Sequence, residues 1–264
     1  MAAVQLSERA ADECRLAHLT HGAVAEKLRA APIVLLPTGS TEQHGPMGLI
    51  GTDAFCAEAI AVAAARATGV LVAPTLALTP APFNMGFAGT ISISPALFGA
   101  LVGEVVGSLA AHGVRAVLAI NGHGANLEPV RTVAANTPIP LGISSWWDGP
   151  AVNAIRTRHF GAWEGMHATP SEIALTMAMF GEWAVPDAAR TPPEKLTPQF
   201  IAAHAGDRHG PPDEHRAQFP DGRVGSHSAL ATAALGAALM EAAAADMAAA
   251  IRRFARDNAV TLPR

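Results

Sequence analysis

Only two cysteines, Cys14 and Cys56, occur among the 264 residues, and neither sits in a CxxC pair. That is too little sulfur for a disulfide framework, so a reducing, cytoplasmic setting is expected. Charge is also scarce: 15% of residues are Asp, Glu, Lys or Arg, the net charge is -4, and no long run of either sign occurs. This balance leaves no electrostatic footprint for nucleic acid or for an anionic membrane. The longest apolar run, residues 229–240, is broken by Glu241 and Asp246. It falls short of the roughly 20 apolar residues of a membrane span and reads as a buried helix. The first thirty residues carry Glu8, Asp12, Glu13, Arg15 and Glu26, and so lack the apolar core of a signal peptide. There is no internal repeat and no low-complexity linker.

Half of the residues are hydrophobic, which is too apolar for a disordered chain. Short apolar runs at 32–37 (PIVLLP), 70–76, 114–120 (VRAVLAI) and 139–144 read as strands. Between and after them, residues 53–67, 95–112, 126–135, 172–180 and 229–256 favour helix, with Ser94 as an N-cap and Gly113 as a stop. Strands alternating with helices predict βαβ units, and unbroken apolar strands predict burial on both faces. The expectation is one α/β domain over 1–264, a doubly wound, mostly parallel sheet with helices on both faces. Residues 181–225, rich in Pro, Asp, Arg and His, read as a long lid or interface excursion.

Ligands bind open α/β sheets beyond the carboxyl ends of the strands, and the polar motifs fall there. After the first strand comes Gly39-Ser40-Thr41-Glu42-Gln43-His44-Gly45-Pro46, then Thr52-Asp53. Glu42 and His44 are two apart, which in extended backbone points both to one side. Asp53 stands at a helix start, where it is either a cap or a ligand. After the third strand comes Asn121-Gly122-His123-Gly124-Ala125-Asn126. Its glycines permit unusual backbone and close approach to the imidazole. A plain strand-to-helix turn is the alternative, and the pattern is neither GxGxxG nor a P-loop. A third cluster holds Trp163, Glu164, His167 and Glu172. Glu172 either complements the dipole of the helix it opens or ligates a metal, and His167 titrates in the range of an acid–base catalyst. Trp146 and Trp147 line a substrate pocket or pack in the core or an interface.

These motifs resemble the creatininase family. The likeness rests on Gly39 to Asp53 and Asn121 to Asn126, with support from Asn84-Met85-Gly86-Phe87-Ala88-Gly89-Thr90-Ile91-Ser92, from His167 and Glu172, and from Phe219-Pro220-Asp221-Gly222-Arg223-Val224-Gly225-Ser226. The resemblance implies a creatininase-like α/β fold, a two-metal centre, hydrolysis of C–N amide bonds and a homohexamer. It places Glu42, His44, Asp53 and His123 on metal-ligand positions, with Asp53 bridging. It also matches Trp163 to a flap tryptophan at the substrate pocket and His167 to a catalytic histidine. The family's further ligand, two residues past the NGH histidine, is here Ala125; Glu172 is the substitute.

Three carboxylates (Glu42, Asp53, Glu172) and a shared hydroxide would balance two divalent cations, with His44 and His123 neutral. Zinc suits the His-containing position, and zinc, manganese or iron the oxygen-richer one. The expected activity is hydrolysis of a small cyclic amide or formamide by a hydroxide held between the ions, with His167 and Glu172 as catalytic groups. The alternatives are a non-catalytic binding or assembly protein, favoured by Ala125, and a metal-dependent lyase or isomerase on a sugar-like substrate.

Overall fold

The computed structural model describes residues 13–263; Glu8 and Asp12, part of the leader argument, lie outside them. The chain runs α1 (His21–Ala30), β1 (Ile33–Thr38), α2 (Thr52–Arg66), β2 (Leu71–Val72), α3 (Pro95–Ala111), β3 (Ala116–Asn121), α4 (Leu127–Ala134), β4 (Leu141–Ser145), α5 (Pro150–His159) and α6 (Pro170–Phe180). Three short helices follow, α7 (Asp187–Arg190), α8 (Pro198–His204) and α9 (Pro212–Gln218), and then α10 (Ala233–Asp257).

The four strands pair in parallel in the order β2-β1-β3-β4. β1 and β3 are buried throughout, and their residues divide between two cores, because successive side chains of a strand point to opposite faces. Ile33, Leu35, Leu118 and Ile120 face a core completed by α2, α6 and α10. Val34, Leu36, Val117 and Ala119 face a second core, with Phe98, Val102 and Val106 of α3, Val130 of α4 and Leu28 of α1. The sheet is thus doubly wound, as its unbroken apolar strands predict.

The second strand is shorter than the 70–76 expected. Regular pairing ends at Val72, although the Ala73 N–H still donates to the Leu35 carbonyl, and after Pro74 it returns only as a bridge between Leu76 and Thr38. Ser94 caps α3 by accepting from the Leu97 N–H, and Gly113 follows it at φ 88°. α1 and α5 escape the sequence reading. The first turn of α5 is capped from across the fold, with Asp246 of α10 accepting from the Val152 N–H at 2.9 Å; Pro150 at its first position is a local signal of its start.

α10 continues through Glu241 and Asp246 to 25 residues, long and apolar enough to cross a membrane by length and composition alone. Its buried residues Gly236, Leu239, Ala243, Met247, Ile251 and Ala255 recur at three- and four-residue spacing. They form the stripe of a core helix, packed on α6, α2 and α5. At Gly236 a Cβ would stand 1.8 Å from the Ala174 carbonyl oxygen, so the α10–α6 approach requires glycine.

Candidate metal centre

Four segments converge beyond the carboxyl ends of β1 and β3. The loop after β1 brings Glu42 and His44; α2 brings Asp53 in its first turn, with Gly51 rather than Asp53 at the cap; the turn after β3 brings His123; α6 brings Glu172. All five are buried. Their ligand atoms form two trios, Glu42–Asp53–His123 and His44–Asp53–Glu172, in each of which the atoms lie within 4.8 Å of one another. Asp53 belongs to both. A third trio joins Glu42 and His44 to His167.

Around the first trio, His123 Nδ1 lies 2.9 Å from Glu42 Oε1 and 3.0 Å from Asp53 Oδ2. In the second, His44 Nε2 lies 2.9 Å from Asp53 Oδ1 and 3.8 Å from Glu172 Oε1. The opposite ring nitrogens are tied to backbone: His123 Nε2 to the Pro80 carbonyl at 2.7 Å, and His44 Nδ1 to the Glu42 carbonyl at 3.1 Å. A carbonyl accepts only, so each tied nitrogen carries a proton. In the neutral imidazole the other nitrogen then presents a lone pair toward carboxylates. Such backbone ties orient histidines that bind metals. Glu42 Oε1 is buried without a hydrogen-bond partner, while Asn84 donates to Oε2 at 2.7 Å. Acceptors converging with an unpaired carboxylate oxygen among them fit the binding of a divalent cation at this centre.

The charges agree with that donor set. Burial disfavours the His44 imidazolium, yet Asp53, Glu172 and Glu42 overcome it and push its pKa up to about 10. Burial likewise opposes charge on His123, and Glu42 and Asp53 raise it well above the ordinary value. Asp53, despite its burial, is held below the usual carboxylate range by His44 and His123. Glu172 is pushed up to about 8 by burial. Taken as protein groups alone, the acids recruit protons onto their imidazoles, which a bound cation would displace.

Glu172 takes the helix-start role, and the same carboxylate stands where a ligand role would need it. It closes a capping box, its Oε1 accepting from the Thr169 N–H at 2.5 Å and its own N–H donating to Thr169 Oγ1, and it also faces His44. His167 lies over the cluster with Nδ1 3.8 Å from Glu42 Oε1 and Nε2 2.7 Å from the Gln43 carbonyl. Burial lowers its pKa to about 4, which leaves the imidazole neutral. The glycines around His123 serve close approach rather than unusual backbone, since neither has positive φ. A Cβ at Gly122 would meet the Asp53 carbonyl oxygen at 2.3 Å, and one at Gly124 the Asp207 carboxylate at 2.3 Å.

A cavity of about 330 Å³ opens on Asp53, His123, His167 and Glu172, walled by Trp146, Trp147 and Arg156. Trp163, expected at the pocket, does not line it. It ends a single 3-10 turn, with Lys195 4.5 Å over its ring and His227 against its edge, on the side of the turn facing the excursion. Ala125 offers no ligand; its N–H instead donates to Asp207 Oδ2 at 3.0 Å. Asp207, Asn84 and the Arg156–Glu164 pair escape the sequence reading. Asp207 is 84 residues from His123 in an aperiodic segment, with no spacing to flag it. Asn84 stands in a motif that carries no charge.

The family model described as creatininase, creatinine amidohydrolase, matches residues 17–251. A mycofactocin precursor peptide peptidase of Mycolicibacterium smegmatis is 36% identical over 110 residues, 39% of this chain and 44% of that protein. A 3-dehydro-scyllo-inosose hydrolase of Thermotoga maritima is 27% identical over 201 residues, 71% of this chain and 63% of that protein. The chain therefore spans less than two thirds of the length of these curated relatives. A manganese creatininase structure superposes with a TM-score of 0.70 at 22% identity, over 91% of this chain and 98% of that one, a likeness of fold. With the family model matching most of its length, this chain belongs to the creatininase family.

Proposed function

We propose that this chain is a metal-dependent hydrolase that holds two divalent cations and cleaves a C–N amide bond, of cyclic amide or formamide type, in a small molecule. The observation that carries this reading is the pair of trios sharing Asp53. Glu42, Asp53 and His123 would hold one ion, and His44, Asp53 and Glu172 the other, with Glu172 doing the work that Ala125 does not. When bound, the cations supply an acidified water and a Lewis acid for a carbonyl oxygen.

The remaining steps fall to the protein. The backbone ties on His44 and His123 fix both rings. Neutral His167, its Nε2–H donating to Gln43, keeps Nδ1 free on the cluster side to take the proton of the attacking water. The same nitrogen then passes it to the departing amine, which makes His167 a general base and then a general acid. Ser171 donates to Glu164 Oε1, which also accepts from Arg156 Nε at 3.0 Å; this steadies the turn that presents Glu172. A cavity of about 330 Å³ is at the small end of ligand pockets, which run from ~300 to 1,000 Å³, and Trp146 walls it. Zinc fits the imidazole-bearing trios, with zinc, manganese or iron as the pair. The reading includes a cytoplasmic homohexamer; exposed Phe55, Leu97, Leu101 and Phe180 supply apolar surface for copies to cover.

The test is a panel of lactams, hydantoin-type rings, formamides and short peptides, offered to zinc- or manganese-loaded protein with product amines quantified. Turnover of a ring amide or formamide, abolished by Asp53→Ala, is the expected result. Water addition to a substrate lacking a C–N bond, with every amide untouched, would overturn the bond assignment.

A further inference from the structure

Asp207 enters the centre from the segment between α8 and α9, a part of the chain that the resemblance gives no ligand. Its Oδ2 lies 3.6 Å from His123 Nδ1 and accepts from the Ala125 N–H at 3.0 Å. Its side chain is 12% exposed. Two features make room for it. Gly124 has no Cβ, and one added there would stand 2.3 Å from the same oxygen. Gly206 and Asp207 turn the chain through two successive left-handed residues, φ 74° and 55°, which Asp tolerates better than most residues.

The oxygens around His123 Nδ1 are then Glu42 Oε1 at 2.9 Å, Asp53 Oδ2 at 3.0 Å and Asp207 Oδ2 at 3.6 Å. Ligands ~2.0–2.1 Å from a tetrahedral zinc stand about 3.3 Å apart, a separation that the three distances to His123 bracket; Asp207 stands just outside the Glu42–Asp53–His123 trio itself. Glu42 Oε1 is buried with only the His123 ring set close against it, so a cation that displaces the ring proton would find that oxygen unclaimed.

We propose that Asp207 is a fourth ligand to the ion held by Glu42, Asp53 and His123, delivered by the 198–210 segment. The proposal rests on the two-ion reading above. Ala205, Gly206 and Asp207 form one wall of the cavity that opens on the centre. With Asp207 moved in, four protein groups would be available to hold the first ion. The second, on His44, Asp53 and Glu172, keeps a position open for chemistry.

The experiment compares wild type, Asp207→Asn and Asp207→Ala after chelator stripping. Zinc affinity is measured by competition with a chromophoric chelator, geometry by the visible spectrum of the cobalt form, and the segment by backbone hydrogen exchange. The expected result is two zinc ions in wild type and one of them weakened by roughly tenfold or more in both variants. The cobalt spectrum should change, and zinc should slow exchange across 198–210 in wild type alone. Unchanged affinity and spectrum in both variants, with zinc-dependent protection of 198–210 retained, would remove Asp207 from coordination while leaving the two-ion reading intact. A wild type that takes up no zinc would overturn both.

Discussion

His44 and His123 each give one ring nitrogen to a backbone carbonyl and turn the other toward carboxylates. With pKa values raised by those acids, both are protonated at neutral pH in chelator-treated protein, as is Glu172 with its pKa near 8. Loading with zinc at pH 7 should therefore release close to one proton from each of the three. Calorimetry in buffers of different ionisation enthalpy counts them; uptake without release would mean that the ions sit elsewhere. His167→Gln should keep both ions and lose about 10²–10⁴ of kcat, the usual range for an acid–base group. Metal loss in that variant would move His167 into the ligand set. Much of this site was legible because its residues stand in short motifs, Glu42 to Asp53 and around His123, with spacing that follows from extended backbone and a Gly-flanked turn. Asp207 and Asn84 were not, since each reaches the centre by tertiary placement. Trp163 misled, because spacing from His167 does not say on which side of a turn a ring will lie.

Among the elements, α10 and α6 approach so closely that a Cβ at Gly236 would stand 1.8 Å from the Ala174 carbonyl oxygen. Gly236→Ala would drive a methyl into the Ala174 carbonyl, a backbone atom that cannot rotate away. The expected cost is about 1–3 kcal/mol, as for other overpacked sites, read as a lower urea midpoint with unchanged slope. Because α6 begins with the Thr169–Glu172 capping box, the variant should also weaken zinc binding at the His44 trio; unaltered stability would show that the helices can separate freely. Long helices with a local cap, such as α3 behind Ser94, were readable from sequence. α5 was not: Pro150 opens it, but its cap is Asp246 of α10, and β2 ended early, with regular pairing lost around Pro74. α1, capped locally by Thr20, is short and polar with one buried residue, Leu28, which leaves little apolar periodicity to read.

For the whole molecule, the shifted groups set how stability follows pH once the ions are removed. His44 and His123 have folded pKa values above the ordinary 6.5, so the stability they confer is complete below that value and is lost as pH rises, for His44 through about 10. Glu172, raised to about 8, acts in the same direction between its ordinary 4.5 and 8. His167, His209 and His215, lowered to about 4, 3 and 4, add stability only as pH climbs toward 6.5. Above pH 6.5 the His44 and His123 terms fall, as does that of Glu172 up to about 8, while the lowered histidines no longer change. Chelator-treated protein should lose Tm steadily from pH 6.5 to 9, and zinc-loaded protein should change much less; parallel profiles would contradict the account. The doubly wound architecture was legible from unbroken apolar strands and their alternation with helices. The course of 181–225 was not, because three short helices joined by Pro-rich turns leave no periodicity to read.

The central claim is that one carboxylate, Asp53, is shared by two cation positions. Zinc stoichiometry on chelator-stripped protein tests it most directly, with wild type, Glu172→Ala and Asp53→Ala titrated side by side. The account predicts two ions per chain in wild type, one after Glu172→Ala and none held tightly after Asp53→Ala. A single ion in wild type, or two that survive Asp53→Ala, would contradict it.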